Sequence, residues 1–152
     1  MFESLDLSNV QTYVQSGNII FDSDKHDKEF LRETIEAQIE RNFGFSVPVL
    51  ILTPADLQRI IESHPYKKEE ANRVLVTFLY ETPEQSKWEQ LRLHRDKADQ
   101  FTLGQQEIFL FCLGGYGRTK LSNNFFERKL GMTATTRNWK TINVLYKMAT
   151  DG

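Results

Sequence analysis

The chain of 152 residues carries a formal net charge of −2, with 39% hydrophobic and 26% charged side chains. That suits one compact domain or two small subdomains sharing an interface, with apolar content enough for a core. A disulfide-stapled scaffold is excluded because Cys112 is the only cysteine, and no apolar run approaches the ~20 residues that a membrane-spanning helix requires.

The start, "MFESLDLSN", lacks the basic and apolar regions of a signal peptide, so the expectation is a cytoplasmic protein. "NVQTYVQSGNIIFDS" alternates Val10, Thr12 and Val14 with Gln11, Tyr13 and Gln15, breaks at Ser16-Gly17 and resumes at Ile19, which predicts a β-hairpin. Leu31, Ile35, Ile39 and Phe43 recur every fourth residue and predict a helix from Lys28 to Phe43, closed by Gly44. "VPVLIL" (47–52) is short, apolar and β-branched, and predicts a buried strand.

Two helix starts share one device. In "TPAD", Thr53 caps, Pro54 takes the first helical position and Asp56 completes a capping box; "TPEQ" repeats this with Thr82, Pro83 and Gln85. The first of these helices stops at His64-Pro65, and the second runs to about Arg95. "RVLVTFLY" between them predicts a strand, and "DQFTLG" with "QEIFLFC" a second hairpin. Ser122 caps a helix ending at Gly131. A last helix, capped by Thr136 or Asn138, presents Trp139, Ile142, Leu145, Tyr146 and Ala149 on one face.

The second half of this order fits most of a β-α-β-β-α-β unit. The first half fits the same unit without its opening strand and helix, with Leu5 and Leu7 as the tail of that helix. The expected fold is therefore α+β: two tandem ferredoxin-like subdomains, residues 1–62 and 63–152, plus an extra C-terminal helix. The first sheet then has an exposed edge able to recruit another copy or be covered by a tail.

Charge is unevenly placed. Residues 1–111 hold 12 Lys/Arg against 19 Asp/Glu, a net −7, whereas residues 112–152 hold 7 against 2, a net +5. The C-terminal quarter is thus a candidate anion-binding surface. Within it, "GGYGRTKLS" (114–122) places three glycines, Tyr116, Arg118 and Lys120 between an apolar strand and a helix start. Neither phosphate-loop spacing, G-x-x-x-x-G-K-[ST] or G-x-G-x-x-G, is present, and a tight strand-to-helix corner calls for glycine by itself. In "ATTRNWK", Arg137 at a helix start opposes the local dipole, which points to a carboxylate partner or an anionic ligand, and Lys140 follows it. The RNA-recognition pattern is absent beyond the "GGYG" fragment, and Phe109 and Phe111 read as core.

His26, His64 and His94 show no metal-ligand spacing. His26 reads as solvated, His64 as a cation at a helix C-terminus, and His94 as an outer helix residue; no metal or cofactor is expected. Cys112, inside an apolar run, reads as a buried inert thiol.

Taken together, "TYVQSGNIIF", "GYGRTKLS", "ERKLG" and "ATTRNW" resemble one bacterial family, domain-of-unknown-function family 1697. The resemblance runs from about Val10 to Lys147 and implies a fold, two ferredoxin-like α+β halves in tandem with an additional C-terminal helix, but no activity. Members of that family begin earlier, with a strand, an Arg-Gly-Ile-Asn type loop and a helix. The resemblance implies that this chain is a fragment, starts from another codon or has shed the segment.

Three functions fit these observations. The first is a binding module meeting an anionic partner, a nucleic acid, nucleotide or acidic protein, through Tyr116, Arg118, Lys120, Arg137 and Lys140. The second is an enzyme on a phosphorylated or carboxylated metabolite, with the cations as anion clamps and Tyr116 as proton donor. The third is a structural or oligomerising protein whose cations pair with the acidic front half.

Overall fold

The computed structural model describes residues 7–13, 17–24, 27–94 and 99–151. It is an α+β structure with two antiparallel sheets and, among the described residues, five α-helices. The chain divides into two compact units, residues 1–59 with 144–152, and residues 60–143.

In the first unit, β1 (Ser8–Thr12) and β2 (Ile19–Asp22) form an antiparallel two-stranded ribbon. Its register, Thr12 to Ile19 and Gln11 to Ile20, shifts before Ser8 meets Asp22. Asn9 absorbs the shift at φ 51°, a conformation asparagine tolerates better than most residues, and its side-chain amide donates to Asp22 Oδ2 at 2.6 Å. The expected hairpin turn includes residues 14–16, which lie outside the described residues, as does His26.

Helix α1 (Lys28–Phe43) has the predicted bounds. The Asp27 carboxylate accepts from the amides of Glu29 and Phe30, and Gly44, at φ 78°, closes the last turn onto Glu40. Leu31 and Ile35 are buried, with Leu7, under Val10, Phe21, Ile39, Val49 and Ile51. Phe43, expected on the same face, is instead 59% exposed. A spacing of four exceeds the helical repeat of 3.6, so each step drifts by about 40° and three steps carry Phe43 round by about 120°.

Residues 47–52 form neither helix nor strand and join no ladder among the described residues, contrary to the expected buried strand. Val49 donates its amide to a side chain, Glu36 Oε2, at 2.9 Å. Val49 and Ile51 turn inward, while Val47 and Leu52 stay at the surface. Helix α2 (Pro54–Ser63) follows with the reciprocal capping box expected of "TPAD": Thr53 N–H to Asp56 Oδ2 at 2.8 Å, and Asp56 N–H to Thr53 Oγ1 at 3.1 Å.

The second unit contains β3 (Val74–Leu79), α3 (Gln85–Arg92), β4 (Gln100–Leu103), β5 (Glu107–Phe111), α4 (Asn123–Leu130) and β6 (Ala134–Asn138). This is a whole β-α-β-β-α-β unit, its sheet ordered β4-β5-β3-β6 and antiparallel throughout. Leu75, Leu79, Ile108 and Leu110 carry Trp88, Leu91, Phe126 and Leu130 of the two helices on one face. Cys112 is fully buried in that layer, as its apolar run implies.

Two expectations are corrected here. Strand β6 occupies "ATTRN", read from the sequence as the lead-in to a helix. Its β-branched threonines suit a half-buried edge, and Thr136 Oγ1 and Thr77 Oγ1 bond at 2.8 Å across the β3 pairing. Thr82 does not cap α3. That helix starts after Glu84, whose side chain makes no capping bond, and Thr82 Oγ1 donates to Gln106 Oε1. Helix α5 (Trp139–Asp151) follows β6 directly, with Asn138 Oδ1 accepting from the Thr141 amide as a helix cap.

Candidate anion-binding surface

Register decides which loops share an end of the second sheet. Val74, the first residue of β3, pairs with Phe111, the last of β5, and Leu75 pairs with Asn138, the last of β6. The loop leaving β5 and the β6–α5 junction therefore lie at the same end. All five candidate residues come from these two places.

The loop at 112–122 is a held structure. Cys112 extends the ladder by donating to Arg73 O at 2.8 Å, and Gly115 N–H returns to Cys112 O at 2.9 Å. Of the three glycines, Gly115 answers a backbone demand, at φ 86°; a Cβ on Gly114 or Gly117 would meet only ordinary space. Residues 116–118 then make one 3-10 turn. Asp99, 7% exposed, clamps both ends, accepting from Leu113 N–H at 2.8 Å and from the Thr119 hydroxyl. Nothing in the sequence around Asp99 marks it as the loop's anchor, because its partners lie 14 and 20 residues away.

The start of α4 is occupied. Tyr116 Oη accepts the Asn123 amide at 2.7 Å and Ser122 Oγ accepts the Phe125 amide at 3.2 Å. Two of the amides that an anion would use thus already have oxygen partners within the chain. Tyr116 is a positioning residue here, its phenol tying the 3-10 turn to the helix.

Arg118 and Lys120 are exposed on this loop, and Lys140 is exposed in the first turn of α5. Arg137 is different. It lies on a strand, not at a helix start, and its Nη1 donates to Thr135 Oγ1 at 2.6 Å and to Thr136 O at 3.1 Å. Thr136 donates to Asn123 Oδ1 on α4, so alternation turns Arg137 to the opposite face of the sheet. Arg118 and Lys120 thus share one loop, while Arg137 stands at the same end across the sheet.

The electrostatic contrast along the chain is sharper than the net charges. Upstream, Lys28 pairs with Asp56, Arg32 with Glu29 and Glu36, Arg73 with Glu70, and Arg92 with Glu89. Among the described residues no carboxylate pairs with Arg118, Lys120, Arg128, Lys129 or Lys140. Arg128 and Lys129, in the last turn of α4 and within "ERKLG", belong to this exposed set although neither was among the candidate site residues. They also suit the negative end of the helix dipole.

The opposite sheet face carries His64, which is buried and neutral rather than the expected cation at a helix C-terminus. Nδ1 accepts the Tyr66 amide at 3.1 Å, so Nε2 bears the proton and donates to Leu75 O at 2.9 Å. Phe109 and Trp139 pack on the ring at 4.9 Å each. Burial pushes the imidazole pKa below its ordinary value and keeps it neutral. His94 is not an outer helix residue: it follows α3, and its ring lies 4.9 Å from that of Phe125. Among the described residues no cluster of His, Cys, Asp or Glu could hold a metal ion, and no helix is long and apolar enough to cross a membrane.

Two antiparallel sheets, the second a whole β-α-β-β-α-β unit of ferredoxin-like order, define an α+β protein. The chain belongs to the family described as "Protein of unknown function (DUF1697)", whose match spans residues 1–109. Among solved structures it is similar to a conserved bacterial protein, SP0830, from Streptococcus pneumoniae, with 22% identity and a TM-score of 0.78. That match covers 98% of this chain and 84% of the pneumococcal one, and at such identity the likeness concerns the fold alone. No curated protein matches.

Proposed function

We propose that the protein is a non-enzymatic binding module whose second unit meets an anionic partner through exposed cations around the α4 loop. One observation carries this reading: Arg118, Lys120, Arg128, Lys129 and Lys140 have no carboxylate partner among the described residues, whereas several upstream cations do. Unpaired surface cations gathered within a short stretch of chain attract polyanions by releasing their counterions. Arg118 and Lys120 supply the contact, and Tyr116 and Asp99 hold the loop that presents them.

Fluorescence anisotropy with a labelled single-stranded oligonucleotide tests the proposal. Affinity should fall linearly in log–log terms with salt, at about −0.7 per phosphate neutralised. Arg118→Ala and Lys120→Ala should each reduce that slope by about one contact. Absence of binding at low salt ends the reading for nucleic acid, and a slope that neither substitution moves ends it for this loop.

A further inference from the structure

The two faces of the four-stranded sheet are finished differently. One lies against α3 and α4, with Leu110 and Cys112 buried there. Directly opposed residues of an antiparallel pair point to the same face. The register therefore sets Val74, Phe111 and Gln100 in one row on the other face, and Arg137, Val76, Phe109 and Thr102 in the next. There His64 packs on Phe109, which is buried, and Trp139 packs on His64.

Toward β4 that cover runs out. Phe111, expected in the core, is only half-buried, and its partner Gln100 and the neighbouring Thr102 are exposed. Tyr66, also half-buried, lies beside Phe111 with ring centroids 6.1 Å apart and planes tilted by 36°. The shallow tilt makes the two rings one aromatic surface rather than an edge-to-face pair. Tyr66 is held at both ends: its hydroxyl is bonded to Thr102 Oγ1 at 2.9 Å, and its amide donates to His64 Nδ1 at 3.1 Å. A ring fixed in advance loses little freedom when a flat ligand settles on it.

Cations stand around this surface. The loop that bears Arg118 and Lys120 begins at the residue after Phe111, and Lys140 follows β6 at the same end of the sheet. Arg137 shares the face itself, and the exposed Lys67 and Lys68 come directly after Tyr66 in the chain. An acidic protein would use the cations alone. Aromatic rings set among cations suit a ligand that carries flat, unpaired bases along a phosphate chain.

We infer that Tyr66 and Phe111 form a stacking shelf for a base of single-stranded nucleic acid, whose phosphates run onto the loop of Arg118 and Lys120. The exposed Gln100 amide at the rim offers a donor and an acceptor to the edge of that base. The inference rests on the anion-binding reading and adds to it the class of partner.

Fluorescence anisotropy at low salt compares labelled oligothymidylate with an abasic deoxyribose-phosphate strand of the same length and charge. The strand with bases should bind about tenfold more tightly, as one stacked base can supply. Tyr66→Leu should weaken that strand roughly fivefold more than it weakens the abasic one, whereas Tyr66→Phe, which keeps the ring, should retain the preference. Phe111→Leu repeats the measurement from the sheet side of the shelf. Equal affinity of the native protein for the two strands overturns the inference and leaves anion binding standing. So does a preference for bases that both leucine variants keep. Displacement of oligothymidylate by polyglutamate as readily as by its own unlabelled form assigns the surface to acidic protein and overturns it as well. Absence of binding by either strand ends this inference together with the nucleic-acid reading beneath it.

Discussion

β2 and β3 are both short apolar strands, yet their circumstances differ in every respect that sets stability. β3 is bonded on both edges, and all six of its residues are buried. Among the described residues β2 is bonded on one edge, and none of its own residues is buried. The difference lies in neighbours rather than in composition. A strand's contribution is set by pairing and coverage, and a β-branched sequence alone does not provide either.

The largest effect that sharpens this contrast should come from the second unit's core. Phe126→Ala removes a fully buried ring and should cost about 3–5 kcal/mol in denaturant unfolding. Ile35→Ala, in the smaller cluster of the first unit, should sit near the low end of the ~2–5 kcal/mol range for such truncations. Equal losses would break the comparison. Next in size is the buried loop anchor. Asp99→Ala orphans the Leu113 amide and the Thr119 hydroxyl and should cost about 1–3 kcal/mol, read from the same curves.

A pH effect follows from His64. Its folded pKa lies below the unfolded value, so below about pH 6.5 the unfolded chain binds more protons than the native one. Stability from this group is therefore complete above that pH and is lost as pH falls toward the lowered folded pKa. Denaturation midpoints measured on the acid side should decline in the native protein, and less so in His64→Phe. The smallest effect belongs to the surface. Arg118→Ala and Lys120→Ala should change stability by less than about 0.5 kcal/mol, since neither side chain has a hydrogen-bond or ion-pair partner to lose among the described residues. A larger loss would mean that these cations serve the fold.

What could be read from the sequence was local. The caps at Thr53, Ser122 and Asn138, the stops at Gly44 and Gly131, and the β4–β5 hairpin each depend on residues a few positions apart, and each is present. What escaped was pairing at a distance. "ATTRN" is polar enough to pass for a loop, and becomes a strand because β3 offers it an edge 59 residues upstream, as Thr77 and Thr136 mark. "VPVLIL" is a better strand by composition and pairs with nothing described. At the candidate surface, the cations were countable from the start. That Arg137 and the α4 loop stand on opposite sheet faces depended on β6 being a strand, and so was hidden with it.

The lone thiol has a practical consequence. Cys112 sits at zero exposure beneath the second unit's helices, with its amide tied to Arg73. A thiol-reactive dye added to the native protein should therefore wait for that layer to part before it can attach. Its labelling rate is a clock for the rare openings of the four-stranded half, already wired into the chain with no engineering needed.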